Sequence, residues 1–369
     1  MRAATRCWGL AFALGTAVPA ASQSTPPASP KPPAIPAYEH AWSAPLGSPD
    51  PSELIVDGDV VLVSAGDGLT AFDSETGKRS WRVDLEHTAM LASGDGAVFV
   101  TMPGRLDALE KSDGRRRWTA ALPNGDITGL IVVQGAVIVT AGLELRAYAS
   151  GEGTQLWQET FAAATAALAA DAGKIFVGLV NHHLVTLNME HVRLSDVELD
   201  TGPVQIVAAQ ERVLVCGSDG ALYLHRQNRQ NSLIWRVQRV VPVGRPVIDD
   251  RHVYVAQFDN TARAYAFSNG TERWRLRLDA RPVAGVQIAG ANVFFPLLTG
   301  AVAIATAKAK TGQPSGVIPV VSASGDAAAA ASRLELSALT PDARLLFRVI
   351  RPASHRDWSL LAVRLKPAS

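Results

Sequence analysis

From residue 39 onward, short apolar runs alternate with polar turns in a unit that repeats along the chain. Each unit holds an apolar strand, a polar turn, a second strand of β-branched and aromatic residues, and then a hairpin. In the first unit the pattern predicts strands over Glu53–Val56, Val60–Val63, Leu69–Phe72 and Arg79–Val83, with turns at Asp57-Gly58, Gly66-Asp67-Gly68 and Thr76-Gly77. The second strands are the most apolar: Ala97–Val100, Ala136–Val139, Lys174–Val177, Arg212–Val215, His252–Val255 and Asn292–Phe295 follow the first, and Arg344–Arg348 makes an eighth. Such runs are expected to be buried on both faces, between neighbouring sheets. The Ala-rich stretch Phe161–Ala172 has helical propensity, but its register with the other units makes Thr165–Ala169 an inner strand.

The hairpin carries the marker of the repeat. Trp81, Trp118, Trp157, Trp235 and Trp274 recur at intervals of about 37 to 39 residues, one of them doubled, and Trp42 lies one interval before Trp81. Four residues before the marker stand Gly77, Gly114, Gly153 and Gly270, with Asn231 in the copy ending at Trp235. Gly and Asn tolerate positive φ, so this position is predicted to be the left-handed residue of a tight turn. Ten residues before the marker stand Ala71, Ala108, Ala147 and Ala264, with His225 in the fifth copy; a small residue there suggests close strand packing. The copy near Asp196 has lost its Trp, and the fourth unit, around Val192, has lost its turn Gly. The seventh unit keeps Thr311-Gly312, has Gly316 where Trp would fall, and runs into Ser322–Ser332, expected to be a flexible loop.

Four strands per period of this length predict a β-propeller blade. The fold class is therefore all-β: eight four-stranded antiparallel blades. The last blade has its third strand at Trp358–Arg364 and lacks a fourth. The segment His40–Ala44, carrying Trp42, is expected to pair with that blade and close the ring, which removes open sheet edges.

Composition changes the picture at the N-terminus. The basic MRAATR and the apolar run that follows predict a cleaved secretion signal over residues 1–22, and the Pro-rich stretch 23–38 reads as an extended tether. Residues 39–369 form one propeller domain. Cys7 precedes the apolar core, so it is not placed as a lipoprotein cysteine. The mature chain then keeps Cys216 alone and has no internal disulfide. Location in the periplasm or outside the cell follows, with no transmembrane helix in the mature chain. A net charge of +1 argues against a nucleic-acid partner.

The pattern Ala71-x-Asp73-x-x-Thr76-Gly77-x-x-x-Trp81, with its partial copies, resembles the repeat of the PQQ-like (pyrroloquinoline quinone repeat) β-propeller family over about residues 40 to 367. That resemblance implies one of two branches. The quinoprotein dehydrogenases bind the quinone and calcium at the propeller centre; the non-catalytic periplasmic propellers include the outer-membrane assembly factor BamB group, which this chain is similar to in length and layout.

A quinone with three carboxylates and a calcium ion needs converging cations and oxygen ligands. The predicted inner strands, such as Leu54–Val56, Leu91–Ser93 and Gln205–Val207, carry no charge. Asp249 and Asp250 sit in a turn, and His182-His183, read on a strand, would point to opposite faces. No catalytic, cofactor-binding or metal-ligating residue is assigned, no cofactor is expected, and Cys216 reads as a packing residue. Arg115–Arg117 reads as a solvated hairpin edge. The expected function is a monomeric protein-interaction scaffold, with a quinone dehydrogenase or a small-ligand or polysaccharide binder as alternatives.

Overall fold

The structure, a computed structural model, describes residues 37–48, 50–85, 88, 90–228, 232–306, 314–319, 333–351 and 357–366. The signal, nearly all of the tether, Asn231, Thr311-Gly312 and Ser322–Ser332 lie outside the described residues. Within them the chain forms eight antiparallel sheets of four strands each, with no helix. Blade 1 contains Pro51–Asp57, Val60–Ala65, Gly68–Asp73 and Arg79–Asp84, ordered from inner to outer strand. Blades 2 to 7 repeat that order. Blade 8 takes three strands, Arg333–Leu339, Leu345–Arg351 and Ser359–Leu365, from the C-terminal part, and its outer strand, Tyr38–Pro45, from the N-terminal part.

The core is a set of layers between blades. Leu62 and Leu69 of blade 1 pack with Leu91, Val98 and Val100 of blade 2, while Val61 and Val63 point the other way, onto Phe347 and Val349 of blade 8. Alternate residues of each second strand thus serve both neighbours, as the continuous apolar runs require.

Seven blades share one irregularity. The ladder between third and fourth strands breaks register just after a pair that places Ala71 opposite Trp81, Ala108 opposite Trp118, Ala147 opposite Trp157 and Ala264 opposite Trp274. The closing strand reproduces it: Trp42 lies opposite Ala362, with a register break between His40 and Trp42. Two blades correct the spacing-based alignment. In blade 4 the position opposite Thr186 belongs to Ser195, one residue before Asp196, because this hairpin is shorter. In blade 5 Leu224, not His225, lies opposite Trp235, because that hairpin is longer. Gly316 does fall at the marker position of blade 7, opposite Ile304.

Inner strands shorten to Val247–Ile248 in blade 6 and Gln287–Ala289 in blade 7. Two long connections compensate. A Cβ on Gly244 would collide with the backbone of Gly285, so the connections entering these blades touch backbone to backbone where only glycine fits.

An antiparallel meander puts alternate turns at opposite ends of a blade. One end, the hairpin face, carries the inner-to-second turns and the Gly-containing hairpins. The other, the connection face, carries the second-to-third turns and the links between blades.

Candidate interaction face and central channel

The repeat residues join each blade to the next. The indole Nε1–H of Trp42 donates to Ser74 O at 2.9 Å, that of Trp81 to Lys111 O at 2.9 Å, that of Trp118 to Ser150 O at 3.0 Å, that of Trp157 to Met189 O at 3.1 Å and that of Trp235 to Phe267 O at 3.0 Å. Each acceptor sits on the following blade's hairpin. The hairpin glycine lies under the same indole. Gly77, Gly114, Gly153 and Gly270 have φ of 71°, 74°, 72° and 70°, and an added Cβ would reach the preceding Trp ring at 2.7 Å from Gly114 and 2.8 Å from Gly270, closer still from Gly77 and Gly153. Asp73 organises the first hairpin by accepting the Thr76 N–H at 2.8 Å and its hydroxyl at 2.6 Å; those bonds hold its pKa below the usual carboxylate value. In blade 4, where glycine is missing, His191 adopts φ 65° and stacks its ring parallel on Trp157 at 5.0 Å.

At the hub the inner strands present edges whose backbone groups have no fifth strand to bond. Side chains from neighbouring blades reach them. The Glu53 carboxylate accepts the N–H of Leu91, Gln287 donates to Ser337 O at 2.7 Å, Thr128 and Thr165 share a hydrogen bond of 2.8 Å, and Arg245 reaches Ile206 O at 3.5 Å. The expectation of uncharged inner strands therefore needs correction. Glu53, the first residue of the predicted strand but outside its uncharged stretch Leu54–Val56, lies within the observed inner strand, half-buried, and desolvation pushes its pKa up to about 7 against the lowering pull of the Leu91 N–H.

The other singled-out groups do not converge. Asp249 caps its turn, accepting from the N–H groups of Arg251 and His252 at 2.7 and 2.6 Å and from Tyr254 Oη at 2.7 Å. His182 lies in a turn at φ 72° rather than on a strand, and His183 contacts Asp196 at 2.7 Å. Arg117 pairs with Glu110 at 2.7 Å, and Arg116 with the fully buried Asp107 at 3.1 Å, so two of the three arginines of the basic run are tied down within their own blade. Cys216 is buried, which drives its thiol pKa up to about 12. Among the described residues no three His, Cys, Asp or Glu side chains cluster to hold a metal.

The connection face differs in character. Of the ten large apolar side chains exposed among the described residues, six, Leu143, Val180, Val204, Val241, Phe258 and Leu298 from blades 3 to 7 and their links, lie at that end; Leu156, Val192, Leu194 and Leu233 lie on the hairpins and outer strands of blades 3 to 5. Between blades 5 and 6 the face opens into a cleft of about 600 Å³ whose lining includes Asp219, Arg236, Arg239, Val241, Gln257 and Phe258. Asp219 bonds Tyr223 Oη at 2.6 Å, Thr201 Oγ1 at 3.0 Å and Arg236 at 3.0 Å. Burial works against its charge, but those bonds prevail and lower its pKa. Phe258 is half exposed, and the Arg281 guanidinium lies over its ring at 4.8 Å. Gln257 is 3% exposed, and its Nε2 has no hydrogen-bond acceptor. No sequence motif marked this cleft. The available signal was an aromatic residue, Phe258, at a turn where the first blade has Gly and Asp.

The family model described as outer membrane protein assembly factor BamB matches residues 39–90, 65–196 and 145–341. A BamB from Xanthomonas campestris pv. campestris is 32% identical over 83 residues, covering 19% of this chain and 20% of that relative. Among solved structures, BamB from Moraxella catarrhalis matches with a TM-score of 0.65 at 14% identity, over 90% of this chain and 99% of that one. The quinohemoprotein alcohol dehydrogenase of Comamonas testosteroni matches at 0.66 and 14%, over 90% and 78%, and the designed Ika8 protein at 0.72 and 13%, over 87% and 98%. At these identities the structural likenesses establish the fold alone. The family match spans most of the described propeller, and on that ground the chain belongs to the family of the outer membrane protein assembly factor BamB.

Proposed function

We propose that this protein is a non-catalytic scaffold, secreted to the periplasm or outside the cell, that holds protein partners during outer-membrane protein assembly. One observation carries the reading beyond family membership: the hub's polar side chains tie blades together, while six of the ten large apolar side chains exposed among the described residues lie on the connection face. The described hub does not fit a quinone and calcium. Glu53 faces the Leu91 N–H, Arg245 faces the Ile206 carbonyl, and no carboxylate set converges among the described residues. Likeness in fold to the Comamonas dehydrogenase leaves the activity question to the site, and the site favours binding.

Affinity purification of the full chain from the cell envelope, with mass spectrometry of what co-elutes, tests the proposal. Recovery of outer-membrane assembly proteins supports it. Their absence, together with dye-linked alcohol oxidation after addition of quinone and calcium, would replace it with the dehydrogenase reading.

A further inference from the structure

The cleft between blades 5 and 6 has an unbalanced chemistry. Asp219 is matched by Arg236 and Asp259 by Arg263 at 2.9 Å. Arg239 is exposed and has no ion-pair or hydrogen-bond partner among the described residues, and the Arg281 guanidinium lies over the face of Phe258 with no ion-pair partner among them. Two cationic groups are therefore left over beside two exposed apolar side chains, Val241 and Phe258. Gln257 adds a second, independent sign. A buried amide N–H without an acceptor is costly, and Gln257 is one of the residues that line the cleft. A carbonyl oxygen from outside would satisfy it.

Resting on the scaffold reading, we propose that this cleft binds an extended peptide segment in which carboxylate and apolar side chains alternate. A backbone carbonyl of the segment accepts from Gln257 Nε2, a carboxylate meets Arg239, and an apolar side chain lies on Val241 and the open side of Phe258. Alternation suits the site, since side chains two apart on an extended chain share a face. Val204 of blade 5 and Leu298 of blade 7 are exposed on the same face and favour a chain over a compact small molecule.

The probe is a fluorescein-labelled peptide alternating Glu with Leu, compared with one carrying Lys for each Glu and one carrying Ser for each Leu. Fluorescence anisotropy is read on the wild type, Arg239→Glu, Phe258→Ala and, as a control on the hairpin face, Lys78→Glu, with thermal unfolding to show that each variant is folded. The Glu-Leu peptide should bind the wild type and Lys78→Glu alike and lose at least tenfold in affinity with Arg239→Glu and with Phe258→Ala. Arg239→Glu should gain affinity for the Lys peptide. Equal binding of all three peptides, or no effect of Arg239→Glu, overturns the proposal. So does binding of an oligosaccharide, lost in Phe258→Ala, in place of the peptide. Capture of envelope partners by the same variants separates the two readings: wild type and variants that capture outer-membrane assembly proteins without binding the peptide sink the cleft and leave the scaffold, whereas no such capture by the wild type sinks the scaffold.

Discussion

Gly77 and Trp42 permit a quantitative test of how the ring is closed. Trp42 is 8% exposed, stands on the closing strand, and bonds Ser74 O of blade 1, with its ring directly over Gly77. Burying a Trp removes roughly 150–250 Å² from water, which at ~25 cal/mol per Å² corresponds to about 4–6 kcal/mol, close to the ~3–5 kcal/mol usual for truncation to Ala. Gly77→Ala has two separate costs. A Cβ at φ 71° costs roughly 1–2 kcal/mol, and forcing it against an indole fixed by a hydrogen bond adds about 1–3 kcal/mol of overpacking. In Trp42→Ala the ring is gone, and only the backbone part remains. The two substitutions should therefore couple by about 1–3 kcal/mol, with the double variant more stable than the sum of the singles implies. Urea unfolding of the four proteins measures this through the midpoint at unchanged slope. Strict additivity would refute the idea that the glycine is required by the Trp as well as by the turn.

Other expectations follow from buried groups. Glu53 has a folded pKa of about 7, above its ordinary 4.5, so its stabilising share is present below pH 4.5 and is lost as pH rises through 7. At about 1.4 kcal/mol per pH unit the loss is on the order of 3 kcal/mol, and stability measured from pH 4.5 to 7 should fall more steeply in the wild type than in Glu53→Gln. Cys216, with its thiol pushed up to about 12, should resist iodoacetamide at pH 8 in the folded protein and react once urea unfolds it; rapid labelling of the native state would place the thiol at the surface. Arg348 is fully buried with Nε and one terminal nitrogen unpartnered, and donates to Gly300 O at 2.8 Å and Pro319 O at 3.0 Å. Blades 1 to 7 place Val or Phe at its position, as with Val63 opposite Leu54 and Phe295 in the seventh. Arg348→Met should thus stay within about 1 kcal/mol of the wild type or exceed it, because the lost bonds are offset by removal of a buried cation; a fall of several kcal/mol in urea unfolding would show that the two loop contacts dominate.

The fold was legible because one large, buried side chain recurs at a fixed interval. Trp spacing gave the blades, and Trp42 gave the closure. Spacing failed by one residue where hairpin length varies, at Ser195 and Leu224, because a register break is a property of two paired strands and not of one segment. The glycine's positive φ could be read from its place in a turn, but the indole above it belongs to a residue more than thirty positions earlier. Glu53 was read as the strand's first residue, but its reach to the Leu91 N–H of the next blade is a contact between blades that no single segment shows. The cleft was not legible at all: Asp219, Arg239 and Phe258 sit in three different turns and connections, ordinary loop residues individually, and meet only because blades 5 and 6 stand side by side.

The central claim is that partners meet the connection face. Its most direct measurement is photo-crosslinking in the living cell from a benzophenone side chain placed singly at Val204 and Phe258 on that face, and at Lys78 and Glu152 on the hairpin face, all four exposed. The account expects adducts with outer-membrane assembly proteins from Val204 and Phe258 and few or none from Lys78 and Glu152. Equal yields from both faces, or adducts from the hairpin face alone, would contradict it.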